Sequence, residues 1–344
     1  VVDAIVRQAG RGTHYYTLNE PAIRLAQRLV EAIPCAETVK FTSTGAEATF
    51  QSLRLARAAT GRDAVLRFRG SYHGHHDYGL SAPSAGVPTS VTDTVVTGEF
   101  NDIDGTRSLV ERHHGQLAAI IVEPFQRAIP PAPGFLESLR ELCDEHGVLL
   151  VFDEVVTGFR LGWGGAQARY GVTPDLASYG KIIGGGLPLG AVAGRRDLMA
   201  LSDPAHKGAD AVYFSSTLNG NPLAAAAGLA TLDVLHHTDA YRVLEQRGDE
   251  LRAALREAAA DSPKPIMITG AGAMVGVTVG SGDQYDPAVH RAADAGARKR
   301  LETEMVRAGV FANLGARMYL STAHTPAHIA AAADALRTAA ATLA

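Results

Sequence analysis

Cysteine, lysine and tryptophan are scarce: 344 residues hold two Cys, five Lys and one Trp. Two thiols, Cys35 and Cys143, make no disulfide framework, so a reducing cytoplasm is the expected compartment. No apolar run approaches the ~20 residues of a membrane span. No signal peptide is expected ahead of the first helix. Basic and acidic residues number 32 and 36, a net charge of −4, and no dense basic block occurs. Nucleic acid and anionic membrane are therefore not the expected partners. What is present is a 46% hydrophobic chain with 36 Gly and 16 Pro. That composition excludes disorder and supports a large globular core with a smaller satellite, and an enzyme is the favoured class. Val1 opens directly in an amphipathic pattern without a methionine, so an N-terminal segment is expected to be missing.

Apolar periodicity sets the organisation. Residues 21–33 read as a helix with one apolar stripe. VKF (39–41), AVLRF (64–68), AAIIV (118–122) and VLLVF (148–152) read as strands, with helices at 46–60, 104–114 and 135–146. Apolar strands alternating with helices predict an α/β fold with a mainly parallel sheet flanked by helices. From about residue 236 the texture changes. A charged helix (239–260), a glycine-rich hairpin (268–279) and an Ala-rich helix (326–343) predict a smaller C-terminal α+β domain. The expected division is 1–235 and 236–344.

The chemical signals lie where strands stop. Two apolar runs end in carboxylates, one at Glu123 and the other at Asp153-Glu154. In open parallel sheets, ligands collect beyond the carboxyl ends of the strands. Glu154 reads as a helix cap or a solvated loop acid. Asp153 follows five apolar residues and should be buried, so it needs a cation or strong donors. Of the lysines, only Lys181 lies in an uncharged, glycine-rich stretch, YGKIIGGGLPLGAVAG (179–194). Apolar neighbours there predict a desolvated amine suited to Schiff-base chemistry.

STGAEAT (43–49) follows a strand and opens a helix. Gly45 lets the backbone approach closely, and the amides of a helix start can hold a phosphate. The same pattern also suits an ordinary N-cap. GSYHGHHD (70–77) gathers His73, His75, His76 and Asp77, but no distant fourth ligand at zinc spacing accompanies them. No metal is expected, and Tyr72 reads instead as an aromatic face for a planar ligand.

Phosphate cradle, aromatic plate, buried Asp and isolated Lys, in that order, resemble the pyridoxal-phosphate enzymes of fold type I. More specifically, the chain resembles the class III aminotransferases, in motifs most like glutamate-1-semialdehyde 2,1-aminomutase and related aminotransferases. The resemblance runs from about Val1 to His324. It rests on TGAEAT, RLARAATGR (54–62), GSYHGHHD, VEP (122–124), FDEVVTGFR (152–160), GVTPDL (171–176), GKIIGGGLPLGAVAGRRDLM (180–199) and STLNGNPLAAAAG (216–228). It implies a fold type I large domain binding pyridoxal 5'-phosphate. Lys181 is then the Schiff-base lysine and proton-transfer base, and Asp153 the partner of the ring nitrogen. Tyr72 stacks on the ring, with Val155 on the opposite face. The Gly45 and Ala46 amides bind the phosphate. Thr217 completes that site from a neighbouring subunit, since the family shares active sites across a homodimer. Glu123 lies near the substrate end.

Departures from the aminomutase pattern bear on the reaction. That branch carries a Glu in the C-terminal segment, where this chain reads NLGARMYLSTAHT (313–325), with Ala316 or a neighbour in its place. Val156 stands where that branch has Met. Arg317 reads equally as a fork for a substrate carboxylate or as a surface ion pair. HYY (14–16) falls where the family lends residues to the partner's pocket, which makes Tyr15 and Tyr16 substrate candidates. These features favour an aminotransferase working by a ping-pong cycle between an amino donor and a carbonyl acceptor. The aminomutase is the alternative, and a catalytically silent binding protein of the same fold is a third reading.

Overall fold

Seven strands carry the first half of the molecule: β1 (Thr38–Thr42), β2 (Ala64–Phe68), β3 (Val95–Gly98), β4 (Leu117–Val122), β5 (Leu149–Asp153), β6 (Leu176–Tyr179) and β7 (Gly190–Gly194). They form one sheet in the order β1-β7-β6-β5-β4-β2-β3. From β3 through β6 every neighbouring pair is parallel, whereas β7 runs antiparallel to both β6 and β1. All six residues of β4 are buried, and Leu150, Val151 and Phe152 of β5 are fully so. Full burial of Val151 or Phe152 is worth about 2 kcal/mol, less than the cost of burying the adjoining Asp153 carboxylate, which therefore needs hydrogen-bond donors of its own.

This computed structural model describes residues 1–315 and 317–343; Ala316 lies outside the described residues. It is an α/β fold with a large, mainly parallel sheet flanked by helices and a small antiparallel sheet. One compact unit comprises Val1–Pro124 and Pro133–His237, the other Phe125–Ala132 and Thr238 onward. The division drawn from the sequence, after residue 235, falls inside the helix Pro222–His237. The segment 125–132 also differs from a contiguous split. It packs with the second unit, where Thr269 Oγ1 donates to the Ala128 carbonyl at 2.6 Å and Arg317 Nη1 to that of Phe125 at 2.8 Å.

In the first unit, helix Gly45–Thr60 starts and stops on local chemistry. Thr44 Oγ1 accepts the Glu47 amide at 3.2 Å, the Glu47 carboxylate accepts the Ser43 amide at 2.7 Å, and Gly61 ends the helix at φ 64°. Three strands escaped the sequence reading, β3, β6 and β7. They have only four or five residues, and β7, Gly-Ala-Val-Ala-Gly, shows no apolar run. Its glycines are required by packing: a Cβ on Gly190 would stand 2.3 Å from the Thr44 carbonyl oxygen.

The second unit pairs β8 (Ile266–Ala271) with β9 (Met274–Val279) as a hairpin, and β10 (Met318–Tyr319) adds at the free side of β9. Helices Ala240–Ala259, Ala295–Arg307 and Pro326–Ala340 belong to this unit. Among the described residues, no helix is long and apolar enough to cross a membrane.

Candidate active site

Parallel strands β4, β5 and β6 lie side by side and deliver their carboxyl ends to one edge of the first unit. Glu123 follows β4, Asp153 closes β5, and Lys181 comes two residues after β6. Asp153 sits opposite Ser178 of β6, so Lys181 follows only three residues beyond that partner. The backbone alone therefore brings the acid and the lysine to neighbouring strand ends.

Asp153 is buried, 5% exposed, and both its oxygens are engaged. His73 Nδ1 lies 2.8 Å from Oδ2, and the Val155 amide donates to Oδ1 at 3.1 Å. The partner required by a buried carboxylate is thus present in the chain itself. Sequence reasoning considered His73 only as a metal ligand and missed this pairing. The available signal was a histidine next to the aromatic plate, after a strand of the same sheet. Among the described residues, no three His, Cys, Asp or Glu side chains gather to hold a metal ion.

Gly45, Val155 and Gly180 meet behind this acid. A Cβ on Gly45 would stand 2.7 Å from Val155 Cγ1, and one on Gly180 would lie 3.4 Å from the Gly45 Cα. The first turn of helix Gly45–Thr60 is held here, and the amides of Gly45 and Ala46 donate to no acceptor among the described residues. Two amides at the positive end of a sixteen-residue helix are suited to an anion. Ser43 Oγ stands 3.1 Å from Ser216 Oγ, which brings the turn containing Thr217 beside this loop within one chain.

Tyr72 is 44% exposed, and Glu123 Oε1 accepts its amide at 2.9 Å. Expected at the substrate end, Glu123 is buried and braces the backbone of the aromatic plate. Tyr15, Tyr16 and Thr217 line one cavity of 280 Å³ together with Asn219 and Asn221. The Tyr15 hydroxyl donates to the Arg11 carbonyl at 2.7 Å, and Tyr16 holds a positive φ of 53°. Arg317 belongs to the second unit. It is buried, not at the surface, with Nη1 committed to the Phe125 carbonyl, and it lines a cavity of 530 Å³ there.

Two expectations need correction. The Lys181 side chain is exposed, whereas Ile183, Gly184 and Leu189 around it are buried. The apolar residues bury themselves, and the lysine stands at φ 50° in the first position of a short 3-10 turn after the strand end. Glu154 is a helix cap but not a solvated one. Fully buried, it accepts from Thr157 Oγ1 at 2.6 Å and from the Ala166 and Gln167 amides at 2.9 and 3.1 Å. Burial raises its carboxyl above the usual range, and those donors oppose the rise.

Two helix-start amides, the half-exposed Tyr72, a braced carboxylate and a lysine on an adjoining strand end are a set chemically suited to a planar anionic cofactor. Comparison with known proteins points the same way. The family profile described as "Aminotransferase class-III" matches residues 1–309. A protein of Roseiflexus castenholzii named glutamate-1-semialdehyde 2,1-aminomutase is 42% identical over 98% of this chain and 81% of its own length. Among solved structures, an omega-transaminase from Sphaerobacter thermophilus superposes with a TM-score of 0.92 at 33% identity, covering 98% of this chain and 81% of that one. A transaminase with PLP bound gives 0.91 at 30% identity, covering 99% and 82%.

Proposed function

The chain belongs to the class III aminotransferase family, a pyridoxal-phosphate-dependent enzyme, and from that premise we propose that it is an intermolecular transaminase. It moves an amino group from an amine or amino acid to a separate carbonyl acceptor in two half-reactions. The observation that carries the chemistry is the Asp153 carboxylate, clamped by His73 and the Val155 amide at a strand end adjoining the one that leads to Lys181.

Bound pyridoxal phosphate supplies an electrophilic carbon and a ring that draws electrons from the substrate. Asp153 would keep a proton on the ring nitrogen, its carboxylate held in place by His73 and the Val155 amide. The Gly45 and Ala46 amides would receive the phosphate, and Thr217 would complete that site from the second subunit of a homodimer with shared active sites. Tyr72 and Val155 would hold the ring between them. Lys181 Nζ would hold the cofactor and would serve as the base that moves a proton to and from the substrate carbon. Tyr15, Tyr16 and Glu123 would serve the substrate. The enzyme works in the cytoplasm.

Support for transfer between two molecules comes from the C-terminal segment, where no carboxylate occurs between Glu304 and Asp334. The two solved structures compared above are transaminases. An aminomutase is the second reading, favoured by the name of the 42% identical relative. Purified holoenzyme given glutamate-1-semialdehyde alone, without an added keto acid, separates them. We expect no sustained formation of 5-aminolevulinate; steady isomerisation would establish the aminomutase.

A further inference from the structure

Of the three histidines between Tyr72 and Asp77, only His73 has so far entered the site. His76, three residues on, faces back. Its Nε2 lies 3.1 Å from the His73 carbonyl oxygen and 3.1 Å from Thr49 Oγ1. Thr49 is buried on helix Gly45–Thr60, and its hydroxyl meets the Ala46 carbonyl at 2.9 Å and the His73 carbonyl. A hydroxyl has one proton, so Thr49 donates to a carbonyl and accepts from His76. This assigns the His76 proton to Nε2. The turn is closed from below as well: the Gly79 amide donates to the His76 carbonyl at 2.8 Å, and the His73 amide to Gly79 at 2.9 Å. Gly74, at φ 111°, packs so tightly that a Cβ would stand 2.7 Å from the Ala46 Cα.

Every restraint on the His73 backbone thus runs either to its own turn or to the first turns of the phosphate-binding helix. His73 has no second anchor for its ring beyond Asp153 among the described residues. We propose that His76, acting through Thr49 and the His73 carbonyl, is a positioning residue that keeps His73 on Asp153 and ties the ring-nitrogen end of the cofactor site to the phosphate cradle. The inference rests on the assignment of Asp153 to the cofactor ring nitrogen. Burial and the neighbouring His73 push the His76 imidazole down to about 4, so it stays a neutral donor at working pH. Its ring also packs on Phe50, with centroids 5.3 Å apart, and the test must separate that packing from the hydrogen bond.

His76→Phe keeps an aromatic ring without the donor, His76→Gln keeps a donor near Nε2 without the ring, and Thr49→Val removes the hydroxyl at constant shape. Each holoenzyme is read by the cofactor dissociation constant, from absorbance titration, and by the low-field imidazole proton resonance of the His73–Asp153 pair. Losing one hydrogen bond should raise the constant roughly tenfold in His76→Phe and Thr49→Val and open the low-field proton to exchange. His76→Gln should stay near the parent in both readouts. Parent-like values in both His76→Phe and Thr49→Val overturn the proposal, as does a His76→Gln as impaired as His76→Phe, which makes ring packing the role. If His76→Phe does not fold, Thr49→Val decides by the same readouts. Asp153→Asn is run in parallel: if it leaves cofactor affinity and absorbance unchanged, the underlying site assignment fails, whatever the His76 result.

Discussion

At the scale of single residues, the chemistry narrows to groups that hold a proton or lose one. Lys181→Ala should abolish the absorbance band of lysine-bound cofactor and slow turnover by about 100- to 10,000-fold, the usual worth of an acid–base group. A spectrum unchanged by that substitution would refute the assignment. His76 makes a different prediction, on stability. Its imidazole falls from 6.5 to about 4 on folding. Between those values the unfolded chain binds a proton that the folded chain refuses, so stability rises with pH across this window. Acidification from pH 6.5 to 4 should cost up to about 3 kcal/mol through this residue. Urea unfolding at pH 7 and pH 4.5 measures it. The acid-induced loss should be smaller in His76→Gln, which cannot titrate.

Elements add constraints that no single residue carries. The meeting of Gly45, Val155 and Gly180 joins a helix start, the turn after β5 and the turn after β6, with no room for a side chain at position 45. Gly45→Ala should therefore either push Val155 aside or shift the helix start. Overpacking of this kind costs about 1–3 kcal/mol, and the shift should also weaken cofactor binding. A melting temperature and cofactor affinity both equal to the parent's would contradict the packing described. The elements were legible in the sequence to uneven degrees. β2 and helix Phe135–His146 stand where periodicity places them, since each has a strong apolar pattern and clear ends. β6 and β7 did not announce themselves, because strands of four or five residues without a long apolar run gain their identity from pairing with neighbours distant in sequence.

Across the whole molecule, Tyr15, Tyr16 and Thr217 surround one cavity of the first unit. If they serve the partner's site in a symmetric dimer, damage to Lys181 and to Thr217 lies in different sites. Mixing subunits of Lys181→Ala with subunits of Thr217→Ala, after dissociation and reassembly, should recover activity through sites that take an intact residue from each chain. No recovery in verified mixed dimers would show that Thr217 acts within its own chain.

The order of glycine-rich loop, aromatic plate, strand-end acid and lone lysine is a property of the sequence by itself. Local rules sufficed there: apolar runs must be buried, helix starts offer amides, and a carboxylate after a buried strand is carried inward. Which group meets that carboxylate was decided only in three dimensions. His73 and Asp153 are eighty positions apart and come together because β2 and β5 both flank β4, a pairing that sequence separation conceals. The burial of Glu154 was likewise settled by the direction in which its side chain leaves the turn, toward the Thr157 hydroxyl and the Ala166 and Gln167 amides. Residue type constrains such a direction weakly, whereas the surrounding backbone fixes it.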